Sequence, residues 1–224
     1  MNDYYSNNLA ADRLERAYEI APPRIKQYLQ AELAHILDLL KPSDTVLELG
    51  CGYGRILEPL CKKANFVVGI DTAINSLLSA RSRMTAFSNC LFIGMDAGNL
   101  GFSSGIFNLT LCIQNGISAF HLSPEILIRE SIRVTAGGGI VLYSSYTPEI
   151  WPSRLEWFKI QSDQGLLGPI DWELSTDCVI ICKDGFKANT FGKNDFTRLV
   201  SPLGLPYKIY SIDQSSIFCE ITVQ

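Results

Sequence analysis

Histidine is scarce in this chain: only His35 and His121 occur among its 224 residues, and they lie far apart. Seven cysteines are present, but none belongs to a Cys-x-x-Cys pair, and six lie in or beside apolar stretches, as buried reduced thiols do. Structural and catalytic zinc sites need three or four convergent ligands of these residue types. The sequence therefore predicts no metal site and favours the cytoplasm as the compartment.

Long apolar runs and an excess of positive charge are missing too. No stretch reaches the roughly 18 apolar residues of a membrane-spanning helix, and the N-terminus lacks the basic start and apolar segment of a signal peptide. The net charge is −4, whereas general nucleic-acid binders carry a basic face. We therefore expect no membrane association and no general affinity for nucleic acid. A monomer and a homodimer are both compatible with these features.

From Thr45 onward, short apolar segments alternate with helical ones. Most of these segments are apolar almost throughout, which is typical of parallel strands covered on both faces. The alternation predicts right-handed βαβ units and a doubly wound, Rossmann-like α/β fold with a mostly parallel, seven-stranded sheet. The predicted strands are residues 45–49, 66–70, 90–94, 107–113, 138–145, 207–212 and 217–223. The predicted helices between them cover about 55–63, 74–84, 124–134, 149–164 and 194–200.

The segment Glu48-Leu49-Gly50-Cys51-Gly52-Tyr53-Gly54 lies directly between the first strand and a helix. Glycines at such a turn let the backbone approach a ligand closely. A dinucleotide fingerprint reads G-x-G-x-x-G, but here the third glycine comes one residue early. The segment resembles the E/D-x-G-x-G-x-G motif of the class I S-adenosylmethionine-dependent methyltransferases. The resemblance implies S-adenosyl-L-methionine as the cofactor. It assigns to the cofactor site Glu48, Gly50, Cys51, Gly52 and Gly54.

Three further elements follow in the order of that family. Asp71 ends the second strand, where the resemblance implies hydrogen bonds to both ribose hydroxyls, with Thr72 beside the adenine. Met95-Asp96-Ala97 is similar to the family's G-D-A, in which the acid meets the adenine amino group and Met95 is expected to pack on the ring. Ile113 and Gln114 end the fourth strand, where the family binds the methionine part of the cofactor. Asp71 as a helix cap, and Asp96 in an ordinary turn, are the alternatives.

The residues that face the methyl acceptor are less clearly marked. The candidates are Asn115 after strand four, Tyr146 at the end of strand five, Trp151 and Tyr18. The aromatic residues among them either form a wall of the acceptor pocket or simply pack the surrounding segments. His121 follows strand four, where a general base would reach an acceptor, but a lone loop histidine is often only solvated.

Two helices are predicted ahead of the sheet, at about 10–20 and 24–40. The second has an apolar stripe and is expected to pack against the sheet. The first, with the residues before it, forms either a frayed amphipathic helix or a lid over the cofactor, as similar segments do in many small-molecule methyltransferases. The side chains assigned to that lid are Tyr4, Tyr5, Arg13 and Tyr18.

We expect a single domain with four parts. These are an N-terminal helical lid (1–42), a cofactor-binding core (43–146), a cap insertion (147–191), and a C-terminal helix and strands (192–224). The cap would contain a helix whose aromatic-rich face carries Trp151, Leu155 and Phe158. A hairpin, indicated by Asp184-Gly185, would complete the cap.

The expected activity is methyl transfer from S-adenosylmethionine to a small-molecule acceptor by in-line displacement. Such a reaction depends on alignment and on exclusion of water more than on covalent help from the protein. Three alternatives stay open: an RNA or protein methyltransferase, a nucleotide-dependent oxidoreductase, and a non-catalytic S-adenosylmethionine-binding protein.

Overall fold

The computed structural model describes Tyr4 and residues 8–120, 122–176 and 178–224. Its strands are β1 (Thr45–Leu49), β2 (Phe66–Asp71), β3 (Cys90–Gly94), β4 (Phe107–Cys112), β5 (Thr135–Tyr146), β6 (Ile180–Ile181), β7 (Lys187–Ala188), β8 (Tyr207–Ile212) and β9 (Ser216–Thr222). Its α-helices are α1 (Asp12–Glu19), α2 (Pro23–Leu39), α3 (Leu57–Cys61), α4 (Ile74–Arg83), α5 (Pro124–Val134), α6 (Trp151–Asp163) and α7 (Lys193–Val200).

The main sheet has seven strands in the order β3-β2-β1-β4-β5-β9-β8. The first five are parallel, and β9 runs antiparallel to both β5 and β8. The predicted doubly wound, mostly parallel fold is therefore confirmed. The strand order reverses between β1 and β4, and in open α/β sheets ligands bind at the carboxyl ends of the strands beside such a reversal.

Helices cover both faces of the sheet, which explains why its strands are apolar almost throughout. Side chains of α2, α3 and α4 are buried on one face, and those of α5 and α7 on the other. A third apolar cluster joins α1 and α2 to α6 and to the β6–β7 hairpin. This cluster lies outside the sheet and closes over its carboxyl edge.

Two local predictions are wrong. The helix predicted over 55–63 is shorter, because the Leu57 amide bonds to the Gly54 carbonyl and the chain turns more tightly there before α3 begins. Phe158 lies on the buried side of α6 as predicted, but the other buried residues of this helix are Arg154, Trp157 and Gln161 and not Trp151 and Leu155.

Candidate cofactor and acceptor site

A cavity of about 340 Å³ lies at the carboxyl ends of β1, β2, β4 and β5. Its inner wall is the edge of the sheet with the loops that follow these strands. Its outer wall is formed by α1, α6 and the hairpin, which contribute Tyr18, Trp157 and Phe186 among others. The volume is in the range of pockets that bind small molecules.

The glycine turn after β1 forms the floor of this cavity. Gly50 and Gly52 have φ angles of 72° and 53°, in the left-handed region that favours glycine. The amides of Gly50 and Cys51 both bond to the Ile70 carbonyl at 2.9 Å, which holds the turn against the end of β2. Gly54 differs from these two glycines, because it does not line the cavity and packs against α4. A Cβ at Gly54 would lie 3.1 Å from the Cβ of Ala80.

Asp71 connects the turn to the next helix. Its Oδ2 accepts a bond from the Gly52 amide at 2.8 Å, and its Oδ1 accepts one from the Ala73 amide at 2.8 Å, just before α4. The bond from Ala73 is a contact that the alternative role of Asp71, as a cap of the following helix, predicts. A carboxylate oxygen accepts more than one hydrogen bond, so these contacts are compatible with further bonds to a ligand.

The loop after β3 contributes Met95 and Asp96 to the cavity wall. Asp96 Oδ1 accepts a bond from the Gly98 amide at 2.8 Å, the geometry of an ordinary turn. Ala97, assigned to the cofactor from the sequence, points into the core and does not line the cavity.

Three polar side chains, each with a buried polar atom, face the cavity beside the glycine turn. Glu48 Oε2, Arg55 Nη2 and Gln114 Nε2 have no hydrogen-bond partner among the described residues. The Arg55 guanidinium lies 4.8 Å from the centre of the Tyr18 ring, and the Tyr18 hydroxyl donates to Gln114 Oε1 at 3.1 Å. Burial raises the pKa of Glu48 to about 8, although the positive charge of Arg55 opposes this shift.

Aromatic side chains form the opposite wall. Tyr18 contacts Trp157 at 5.8 Å between ring centres, and Phe158 contacts Phe186 at 5.6 Å. The Trp157 indole donates to the Ala17 carbonyl at 2.8 Å, so α6 is bonded to α1. The Arg154 guanidinium is fully buried, lies 4.4 Å from the centre of the Tyr146 ring, and donates to the Cys178 and Ala188 carbonyls.

Most residues predicted for the site come together around this cavity. Those that line it are Glu48, Gly50, Cys51, Gly52, Asp71, Thr72, Met95, Asp96, Ile113, Gln114, Asn115, Tyr146 and Tyr18. Asn115 is held structurally, because its amide donates to the Asn189 carbonyl at 2.8 Å and accepts from the Ser145 hydroxyl at 2.7 Å.

Some assigned residues lie elsewhere. Trp151 does not line the cavity, because it begins α6 on the far side of Arg154. In the predicted lid, Tyr4 bonds to Asp184, and Arg13 bonds to the carbonyls of Gly165 and Leu166, so both contact the insertion rather than the cavity. His121 and Tyr5 lie outside the described residues.

Several lining residues were not predicted. Arg55 directly follows the third glycine of the motif, so its position in the sequence offered a signal. Others come from the loop after β4, from α6 and from the hairpin, where only the packing of distant segments selects them. They include Phe120, Arg154, Trp157, Gln161 and Phe186.

Within the part of the chain that the structure describes, no group of three or more His, Cys, Asp or Glu side chains is arranged to hold a metal ion. No helix among the described residues is long and apolar enough to cross a membrane.

The strand order, the glycine turn after β1 and the acid that ends β2 define the class I S-adenosylmethionine-dependent methyltransferase fold. Residues 46–139 match a protein family described as a methyltransferase domain. This match, together with the fold, supports a class I S-adenosylmethionine-dependent methyltransferase with S-adenosylmethionine as its cofactor.

Part of the chain is similar to the 2-methyl-6-phytyl-1,4-hydroquinone methyltransferase of Synechocystis sp., with 27% identity over 135 residues. The match covers 56% of this chain and 42% of that protein, so the chain spans less than half of its length.

Two solved structures resemble the whole chain. The PH0226 protein of Pyrococcus horikoshii has a TM-score of 0.68 at 19% identity, and the match covers 100% of both chains. The N-methyltransferase NodS of Bradyrhizobium japonicum, solved with S-adenosyl-L-homocysteine, has a TM-score of 0.62 at 16% identity over 99% of this chain and 98% of its own. At these identities the likeness establishes a shared fold.

Proposed function

We propose that this protein transfers a methyl group from S-adenosylmethionine to a small-molecule acceptor held between the sheet edge and the segment 147–191. One observation carries the proposal: a single cavity is lined by the family's cofactor motif on one side and by an aromatic wall on the other. In this proposal, residues 147–191 are the cap and α1 is part of the lid. The hydroquinone methyltransferase among the relatives, which by its name acts on a small molecule, supports the choice of acceptor class.

The residues beside the glycine turn fit the amino-acid end of the cofactor. That end carries an ammonium and a carboxylate, and it therefore needs both an acceptor and donors. The orphaned oxygen of Glu48 and the orphaned nitrogens of Arg55 and Gln114 provide them. A buried polar atom without a partner is costly, so a ligand that satisfies all three would be bound strongly.

The other half of the cofactor would lie along the ends of β2 and β3. Asp71 would accept bonds from the ribose hydroxyls, while Thr72, Met95 and Asp96 would surround the adenine. Cys51 and Ile113 would contact the cofactor through the backbone and through apolar surface. Gly54 and Ala97 would support this region from behind without touching the ligand.

When bound, the cofactor supplies a methyl group on a cationic sulfur. The protein's contribution would be to align the acceptor and to exclude water, which are the main sources of acceleration for such a displacement. Tyr18, Trp157 and Phe158 would exclude water from one side. Tyr146 would face the acceptor. A role for His121 as a base stays a prediction, and its neighbours Phe120 and Leu122 both line the cavity.

Contacts around α1 favour a small acceptor over RNA or protein. The helix is joined to α6 through the Trp157–Ala17 bond and to α4 through the ion pair of Glu15 with Arg83. While α1 stays in place, a polymer cannot reach the inner part of the cavity. The net charge of −4 also disfavours a polyanion as the acceptor.

All seven cysteines are free thiols, which supports the cytoplasm as the compartment of this protein.

Incubation with methyl-labelled S-adenosylmethionine tests the proposal. The protein would be mixed with a cell extract divided into small molecules, RNA and protein, with heat-denatured protein as the inactive control. We expect label in the small-molecule fraction. Label confined to RNA or protein would contradict the proposed acceptor class.

A further inference from the structure

A second buried carboxyl group lies directly behind the cavity. Glu32 on α2 is fully buried, and its Oε1 accepts a hydrogen bond from the Ser144 hydroxyl at 2.5 Å. The same hydroxyl accepts a hydrogen bond from the backbone amide of Gln114 at 2.7 Å, and Gln114 lines the cavity. Glu32 Oε2 has no hydrogen-bond partner among the described residues. The carboxyl group is therefore one side chain away from a residue that lines the cavity.

Two tyrosines connect Glu32 to the acceptor wall. Tyr28 lies one helical turn before Glu32 on α2, and its ring is 5.1 Å from that of Tyr146 between centres. The Tyr28 hydroxyl is buried near Tyr146 and Glu32 and has no hydrogen-bond partner of normal geometry among the described residues. Tyr146 lines the cavity. The three side chains therefore lie next to one another between the cavity and a buried carboxyl group.

In its surroundings, the Glu32 carboxyl group is close to half protonated at neutral pH. Burial raises its pKa to about 7, while the Ser144 bond and the charge of Arg55 oppose that shift. Five titratable or charged groups interact electrostatically with Glu32, and each belongs to a different helix, strand or turn. They are Tyr18, Tyr28, Arg55, Cys112 and Tyr146. Of these, Arg55 alone is cationic, and it also faces Glu48.

We propose that Glu32 accepts, through Tyr28 and Tyr146, the proton that the acceptor loses on methylation. This inference rests on the proposed methyl transfer and narrows the acceptor to a hydroxyl or amine that carries a dissociable proton. The acceptor atom forms a bond to the methyl carbon as the carbon–sulfur bond breaks, and the electron pair of that bond stays on sulfur. The acceptor's proton passes to the Tyr146 hydroxyl, that of Tyr146 to Tyr28, and that of Tyr28 to Glu32.

Charge balance within a closed cavity favours this route. Sulfur changes from cationic to neutral in the reaction, and Glu32 changes from anionic to neutral, so the total charge stays the same. An unbalanced charge in a buried site is costly. Glu48 is a poorer choice, because its carboxyl group lies near Asp71, on the side of the cavity proposed for the ribose.

Calorimetry can count the protons that move when the two forms of the cofactor bind. S-adenosylmethionine and S-adenosylhomocysteine would be titrated into the protein at pH 7, each in buffers of different ionisation enthalpy. The cationic sulfur should lower the pKa of Glu32, so S-adenosylmethionine should release up to about half a proton more than S-adenosylhomocysteine. In Glu32→Gln we expect this difference to vanish.

Two variants serve as controls. Glu220→Gln removes a buried carboxylate on β9 that pairs with Lys208 far from the cavity, and it should keep the difference. A difference that persists in Glu32→Gln but disappears in Glu48→Gln would overturn the proposal. If wild-type protein binds both ligands with equal proton release, the inference also fails. If it binds neither ligand, the proposed cofactor site itself fails.

Infrared difference spectra provide a second test if Glu32→Gln does not fold. The S-adenosylhomocysteine complex of the wild-type protein should show a stronger protonated-carboxyl band than the S-adenosylmethionine complex. Ser144→Ala should shift that band, because Ser144 donates to Glu32. A difference spectrum without such a band, or a band that Ser144→Ala leaves unmoved, would contradict the assignment.

Discussion

Asp71 accepts hydrogen bonds from the amides of Gly52 and Ala73, which belong to the glycine turn and to the start of α4. Its proposed bonds to the ribose would add to these. Asp71→Ala should therefore weaken S-adenosylhomocysteine binding by about 1.5–3 kcal/mol, as expected for bonds to a charged acceptor. Calorimetry measures this change, with Asp163→Ala on the exposed end of α6 as the control. Unchanged affinity in a folded Asp71→Ala protein would mean that the carboxylate only holds the turn.

Gly54 permits a separate prediction, because it supports packing and not the cavity surface. Its φ of 81° is unfavourable for other residues, and an alanine Cβ would lie 3.1 Å from Ala80. Gly204 has a φ of 68° but open space where the Cβ would be. Gly204→Ala should cost about 1–2 kcal/mol of unfolding free energy from the backbone alone, and Gly54→Ala should cost more. Chemical denaturation measures both, and equal losses would contradict the packing role.

Individual residues show how far the sequence could predict the site. The glycine motif and the acid after β2 were recognisable, because both lie at fixed places next to a strand. Glu32, Arg154 and Phe186 were not, because they come from elements distant in sequence. An acid in the middle of a helix looks like a solvated side chain until the packing of the helix shows that it is buried.

At the scale of elements, mostly apolar segments located the strands of the main sheet to within one residue, except that β5 begins at Thr135, ahead of its predicted start at residue 138. Helix α6 was harder to interpret, because Arg154 and Gln161 belong to its buried side. A method based on apolar spacing assigns such polar residues to solvent, and the predicted face was therefore rotated toward Trp151. Buried polar side chains of this kind are found where an element lines a cavity.

The bond between α6 and α1 leads to a prediction about the proposed lid. Trp157→Phe keeps an aromatic ring but removes the hydrogen bond to the Ala17 carbonyl, worth about 1 kcal/mol. Cleavage by trypsin within α1, after Arg13 or Arg16, should become about fivefold faster if local opening limits it. Trp172→Phe is the matched control, because Trp172 is 56% exposed in the same insertion. Equal cleavage rates in both variants would show that this bond does not hold α1 in place.

The whole molecule should respond to pH through the carboxyl groups buried at its site. Burial raises the pKa of Glu32 from its ordinary value of 4.5 to about 7, and that of Glu48 to about 8. Between the ordinary pKa of 4.5 and these raised values, the folded protein holds protons that the unfolded chain has lost. The free energy of unfolding therefore falls as the pH rises through this range. His35 opposes this trend near pH 6, because burial lowers its pKa and the unfolded chain then binds the extra proton.

A comparison of wild-type protein with Glu32→Gln isolates one carboxyl group from these opposing contributions. Because Gln cannot titrate, the difference in unfolding free energy between the two proteins should change with pH only through Glu32. From about pH 5 to pH 7, wild-type protein should lose stability relative to Glu32→Gln by roughly 1 kcal/mol per pH unit, close to the limit for one proton. Toward pH 8 the difference should level off, because Glu32 is then mostly ionised in both states. Urea denaturation at pH 5, 6, 7 and 8 without cofactor measures the difference. Parallel curves for the two proteins across this range would show that the Glu32 carboxyl is solvated in the folded state, and a solvated carboxyl group could not serve as the buried proton acceptor.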